Sequence, residues 1–300
     1  MKVIAPTPIT DARLVSSSVP ETDHPEWAAG TSYAAGARVI VAAAHDRYEA
    51  LTSNAGKPPA ANPSDWLLLG KTNRWAMFDQ KVGTVTAATG SITVTLAPGI
   101  VNAVALLSIG GATSLRVRMI DATEGVVYDR STALYDPGNV VDWWTYFFED
   151  VRLKAVSVAL DLPTYRDTQV EITLTGPATE TVSIGACVIG RLHSYGPQSG
   201  IHLGASAGIQ DYSRKTRDDW GNVEVVERAF SKRARWAITL PNGEIDVFQA
   251  RMAALRATPA VYIGSERYAS TVVYGFFRDF DVVIAYPAHS ECSIEIEGLV

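Results

Sequence analysis

The chain has 300 residues, 47% of them hydrophobic and 19% charged, and carries a formal net charge of −6. That length exceeds one small domain and points to two or three; the composition is that of a soluble globular protein with no low-complexity tract. The acidic balance argues against a nucleic-acid partner, which needs clustered excess Lys and Arg, and the longest apolar runs, such as 100–109, are too short to span a bilayer.

Residues 1–22 read as an extended polar leader, with Pro6, Pro8, Pro20 and the run Ser16-Ser17-Ser18, expected to order only against a partner. Its prolines interrupt the apolar start, so it does not read as a secretory signal, and folding in the cytoplasm is expected. Residues 23–71 read as a small all-β module. Strands are predicted over 39–41 and 47–51 around a turn at Ala44-His45-Asp46, followed by loop punctuation at Pro58-Pro59 and Asn62-Pro63 and a closing strand from Trp66. So short a unit has little core, and aromatic side chains must supply much of its stability.

Residues 72–195 read as strand after strand: 81–86, 91–96, 102–109, 114–120, 125–128, 155–160, 169–174 and 181–189. The first two flank Ala-Ala-Thr-Gly90, a hairpin signal. Ser91-Ile-Thr-Val-Thr-Leu96 alternates with period two, so one face should be buried. This pattern predicts an antiparallel β-sandwich of jelly-roll type. Between its strands, 142–150 is too aromatic for a plain linker: Asp142-Trp143-Trp144-Thr-Tyr146-Phe147-Phe148-Glu149-Asp150. After a boundary at Tyr195-Gly-Pro197, residues 196–300 read as an α+β unit. Its one good helix is predicted over 244–257, where Ile245, Phe248, Met252 and Leu255 recur at spacings of three and four. Glu244 and Asp246 at its start and Arg251 and Arg256 near its end suit the helix dipole, and Pro259 stops it. The fold class expected is mainly β.

Catalytic signatures are missing from the sequence. The five histidines are scattered, and the motifs His-Glu-x-x-His, Cys-x-x-Cys and a Walker loop do not occur. No cofactor and no metal is expected, and Cys187 and Cys292 read as two buried structural thiols. Asp142, Glu149 and Asp150 beside the aromatic cluster are the carboxylates a glycosidase reading would use, but a solvated acidic edge is the plainer reading. Arg214, Lys215, Arg217, Arg228, Lys232, Arg233 and Arg235 form a basic surface, either a solvated face or a contact to an acidic neighbour.

Two resemblances complete the reading. The set Trp27, Tyr33, Gly36, Val39, Tyr48-Glu49-Ala50, Pro58-Pro59 and Trp66 is similar to small chitin-binding modules. It implies that Trp27, Tyr48 and Trp66 are candidates for stacking on a sugar, with Tyr33 structural. Residues 72–300, including Gly204–Lys215, Asp219-Trp220-Gly221-Asn222 and Val273–Phe280, resemble distal tail proteins of long-tailed bacteriophages. That resemblance implies a virion component of the tail tip which contacts other tail proteins and copies of itself in a symmetric oligomer. Host-surface glycans become possible partners, while nucleic acid and membrane insertion are not expected. Many weak sugar sites on one particle would raise avidity by about 10²–10⁴. A polysaccharide or peptidoglycan hydrolase, and a purely structural tail protein without sugar binding, are the alternatives.

Overall fold

The computed structural model describes residues 1–81, 83–136, 142–148, 152–196 and 200–299. The fold is mainly β. Its framework is a nine-stranded antiparallel sheet in the order Val156–Ala159, Ala103–Leu107, Ala186–Ser194, Lys2–Pro6, Ala260–Ile263, Val272–Val283, His289–Gly298, Phe230–Pro241 and Ser206–Asp211. A five-stranded sheet faces its first half, in the order Gly125–Ala133, Ser114–Asp121, Thr168–Thr175, Ser91–Leu96 and Leu14–Ser17.

The sandwich core follows from alternation. Ile92, Val94 and Leu96 point inward from one strand, and Val117, Met119, Val170, Ile172 and Leu174 from its neighbours. They meet Val104, Leu106, Cys187 and Ile189 of the large sheet. The predicted hairpin around Gly90 does not form. Thr86–Thr89 pairs instead with Thr181–Ile184, and at Gly90 (φ 76°) the chain crosses to the five-stranded sheet. The backbone amide of Gly90 is taken by the Glu180 carbonyl at 2.9 Å, so local pairing is outcompeted by a distant strand.

The helix is present as α2, Ile245–Leu255, with Phe248, Met252 and Leu255 buried against Trp236, Ile238 and Tyr262. The first residue of the predicted span, Glu244, instead ends a 3₁₀ turn, Asn242–Glu244.

The leader is corrected by the structure. Lys2–Pro6 lies in the middle of the large sheet, antiparallel to Ala186–Ser194 on one side and Ala260–Ile263 on the other. Val3 and Ile4 are fully buried on opposite faces. This strand joins the sandwich to the helix-bearing half, so no break in the sheet accompanies the sequence boundary near residue 195. Gly190 beside it is required by close approach: a Cβ there would stand 1.9 Å from the Ala5 carbonyl oxygen. Leu14–Ser17 is likewise a strand, at an edge of the five-stranded sheet.

The small module is a three-stranded sheet, Arg38–Val41, Asp46–Ala50 and Trp66–Lys71, with Val39 opposite Tyr48. Both cysteines are buried and free, and burial pushes each thiol up to about 12. Among the described residues no helix is long and apolar enough to cross a membrane.

Candidate functional site

The three rings proposed for sugar stacking form one cluster, but two of them do not face water. Trp66 is 2% exposed and Tyr48 6%, packed with Val39 and Ala50. The Trp66 indole donates to the Lys57 carbonyl at 3.0 Å, and Tyr33 meets its ring edge-on at 5.2 Å. Burial is the main cause raising the Tyr48 phenol above its ordinary value, with the Asp46 charge second. Trp27 is half-buried against the same cluster, and its Nε1 is buried and bonds no described residue. The assignment of Tyr48 and Trp66 to a sugar face is therefore corrected. A unit with so little interior uses its largest rings to exclude water from its own backbone. Tyr33 is structural, as expected; its hydroxyl accepts from the Ala28 amide at 2.8 Å.

The module is fastened to the rest by His45, one of the scattered histidines and the middle residue of the turn expected at Ala44-His45-Asp46. It sits at φ 56° just after the 3₁₀ turn Ala42–Ala44. Its Nε2 lies 2.7 Å from Asp11 Oδ1 and its Nδ1 2.8 Å from Glu21 Oε1, while the ring stacks on Trp75 at 4.2 Å. Thr72 Oγ1 also donates to Glu21, and Arg74 donates to the Val19 carbonyl. The leader thus bridges module and sandwich. The spacing of His45 from its carboxylates, 34 and 24 residues, left no local signal to find it by.

The aromatic segment behaves in the opposite way. It forms a short helix, α1, Trp143–Phe148, that buries none of its residues. Trp143 is 79% exposed, and Trp144, Tyr146, Phe147 and Phe148 are all exposed. Its rings touch one another, Trp144 against Phe148 at 4.2 Å and Tyr146 against Phe147 at 5.1 Å. Asp142 caps it: Oδ1 accepts from the Thr145 amide at 2.8 Å, and these bonds to Thr145 hold the carboxyl below its usual range. A carboxylate held ionised by a helix end is poorly placed to act as a general acid. Glu149 and Asp150 lie outside the described residues.

A second outward feature is the hairpin Arg214–Arg217 with Val223–Val226. Val223, Val225 and Val226 are exposed, and Trp220 at the tip is 90% exposed. The basic surface expected nearby is neutralised in part within the chain, at Lys215, Arg233 and Arg235. Arg233 and Arg235 converge on Glu295, Arg235 Nη2 at 2.8 Å from Oε2, and Lys215 reaches Asp211 at 2.9 Å. The cross-strand register places Arg235 directly opposite Glu295, so proximity in the sheet decides what sequence blocks could not. Arg214, Arg217 and Arg228 make no ion pair among the described residues.

Of the scattered histidines, His202 Nε2 is 2.7 Å from Thr239 Oγ1, and burial is the leading cause lowering His193. Neither forms a cluster with Cys187, and among the described residues no group of His, Cys, Asp and Glu has the makings of a metal site. Comparison with protein-family models, curated proteins and solved structures found no match to this chain.

Proposed function

We propose that this chain is a structural protein that assembles with copies of itself, as a component of a viral tail tip, and that its module serves the fold rather than sugar recognition. The observation that carries the assembly reading is α1. Five aromatic side chains on one short helix are exposed, and among the described residues their ring contacts are with one another. A monomer gains nothing from such a patch, whereas contiguous exposed apolar surface marks a site of association, and aromatic rings dominate the energy of interfaces. The virion setting rests on the resemblance of residues 72–300 to distal tail proteins, and closed symmetry is the usual outcome for such assemblies.

The test is sedimentation velocity of the full chain over a wide concentration range, with negative-stain images of the resulting species. A discrete closed oligomer is expected, and Trp144→Ser with Phe147→Ser should weaken it. A chain that stays monomeric throughout overturns the reading. An antibody to the chain that decorates the tail tips of purified particles is the expected result for the virion setting, and labelling elsewhere or nowhere removes it.

A further inference from the structure

The large sheet curls until strands from its two ends line one cavity. Leu107 and Val156 from one end face Phe230 and Lys232 from the other, with Tyr274 and Leu299 between them. The cavity has a volume of about 270 Å³, and its walls are mostly apolar. Among the described residues Lys232 is the one charged residue lining it. Its ammonium donates to the carbonyls of Ala269 and Val272, each at 3.1 Å, and pairs with no carboxylate among the described residues. An ammonium has three donors, so one remains for a guest. Burial pulls this amine below the ordinary lysine value, as expected for a charge without a counter-charge. Ser108, which also lines the cavity, is held at φ 52°; such backbone strain persists where surrounding structure enforces it and clusters at binding sites.

The tip of the hairpin has complementary chemistry. Asp218 fixes the turn: its Oδ1 accepts from the backbone amides of Trp220 at 3.0 Å and Asn222 at 2.7 Å, and its Oδ2 from the Asn222 side chain at 2.9 Å. Gly221 supplies the left-handed residue at φ 87°. The result is a turn with a fixed backbone that carries an exposed indole, with Asp219 next to it in sequence, and Asp219 makes no ion pair among the described residues. The backbone of this knob costs little to order on binding because the free chain already holds it.

We propose that Trp220 of one copy seats in this cavity of a neighbouring copy, with its Asp219 carboxylate beside Lys232, so that copies join head to tail. The proposal rests on the assembly reading above and names the contact that would close it. Size agrees: an apolar cavity of roughly 150 Å³ accommodates benzene, and indole is a larger ring for a larger hole. The charges agree as well, because the guest brings the carboxylate that Lys232 lacks and the indole face attracts its ammonium. A knob and a hole at different places on one chain make a heterologous contact, which yields a ring where the rotation closes.

The experiment mixes two full-length variants. Trp220→Ala keeps the hole and loses the knob; Val156→Trp keeps the knob and fills the hole. Each alone should associate at least tenfold more weakly than the wild type, and the mixture should recover a one-to-one complex through its single intact contact. Melting temperatures check folding, and if Val156→Trp melts early, Lys232→Met replaces it as the hole variant. The exchange Asp219→Lys with Lys232→Glu should restore association that either change alone weakens. If wild type and Trp220→Ala assemble equally well, this contact is wrong while the assembly reading stands. If the wild type never associates, both fall. A hole that takes octanoate tightly while Trp220→Ala leaves assembly unchanged belongs to a small amphiphilic acid instead, and overturns the proposal.

Discussion

The N-terminal module and the hairpin tip use the same kind of residue for opposite ends. In the module, Trp66 is sealed by Tyr33, Tyr48 and Val39 and spends its indole N–H on a local carbonyl. At the tip, Trp220 stands in solvent on a turn whose hydrogen bonds hold the backbone and leave the ring free. A ring that closes a core is surrounded by its own chain; a ring offered to a partner is supported from behind and untouched in front. Side-chain identity does not separate these cases, and the contacts do.

The sharpest way to break the comparison is Trp66→Ala. Emptying a buried indole site costs roughly 3–5 kcal/mol, and the module has only Val39, Tyr48 and Ala50 as other buried hydrophobics in its cluster. Hydrogen exchange over residues 38–50 should become fast while the two large sheets stay protected. If that protection survives, the ring is not what holds the module together. His45→Asn comes next. Asn tolerates the left-handed backbone but cannot bridge Asp11 and Glu21 while stacking on Trp75. A loss of roughly 1–3 kcal/mol, the range for hydrogen bonds to charged groups, should appear as easier opening of residues 26–71 and of 9–21 together. Unchanged exchange in the leader would mean that the histidine fastens nothing.

Acid should sharpen the contrast more gently. Asp65 accepts from Lys57 at 2.8 Å and from Thr52 at 2.9 Å, and these bonds hold its carboxyl below the usual range, the Lys57 bond first. A carboxyl depressed in the folded state contributes stability above the ordinary carboxylate pKa of about 3.9, and that contribution is lost as pH falls through the depressed value. The loop that carries the Lys57 carbonyl, the acceptor for Trp66, should therefore loosen in strong acid and not at neutral pH. Asp65→Asn should remove the acid step; a step of the same size in that variant would assign it elsewhere.

These contrasts show which features could be read from sequence. Period-two alternation from Ile92 to Leu96 and the helical spacing from Phe248 to Leu255 are local patterns, and both elements occur where the residues dictate. The N-terminal strand has no such pattern. Five residues ending in Pro6 gain their order from Ala186–Ser194 and Ala260–Ile263, partners distant in sequence, and proline at the strand's end reads locally as a breaker although it is tolerated there. The Gly90 turn failed for the same reason, because its pairing partner arrives from residues 181–184. In the candidate site, Trp27, Tyr48 and Trp66 fall in one cluster, but Tyr48 and Trp66 face inward: sugar stacking and miniature-core packing ask for the same rings at the same spacing. Lys232 was visible only as one of several basic residues. Strand alternation puts it on the face opposite Arg233 and Arg235, which converge on Glu295, and there it lines an apolar cavity.

The smallest expected effect on folding decides most. Trp220→Ala should change the stability of the isolated subunit by less than about 0.5 kcal/mol, the range for surface sites that support no packing, because the ring is 90% exposed and the turn is held by Asp218 rather than by the indole. Chemical denaturation at a concentration where the chain is monomeric measures this. The same substitution should weaken association at least tenfold. A large loss of subunit stability would mean that the ring packs on its own chain and resembles Trp66 after all. Unchanged stability combined with lost association is the pattern of a residue placed for a partner, and Trp66→Ala cannot produce it.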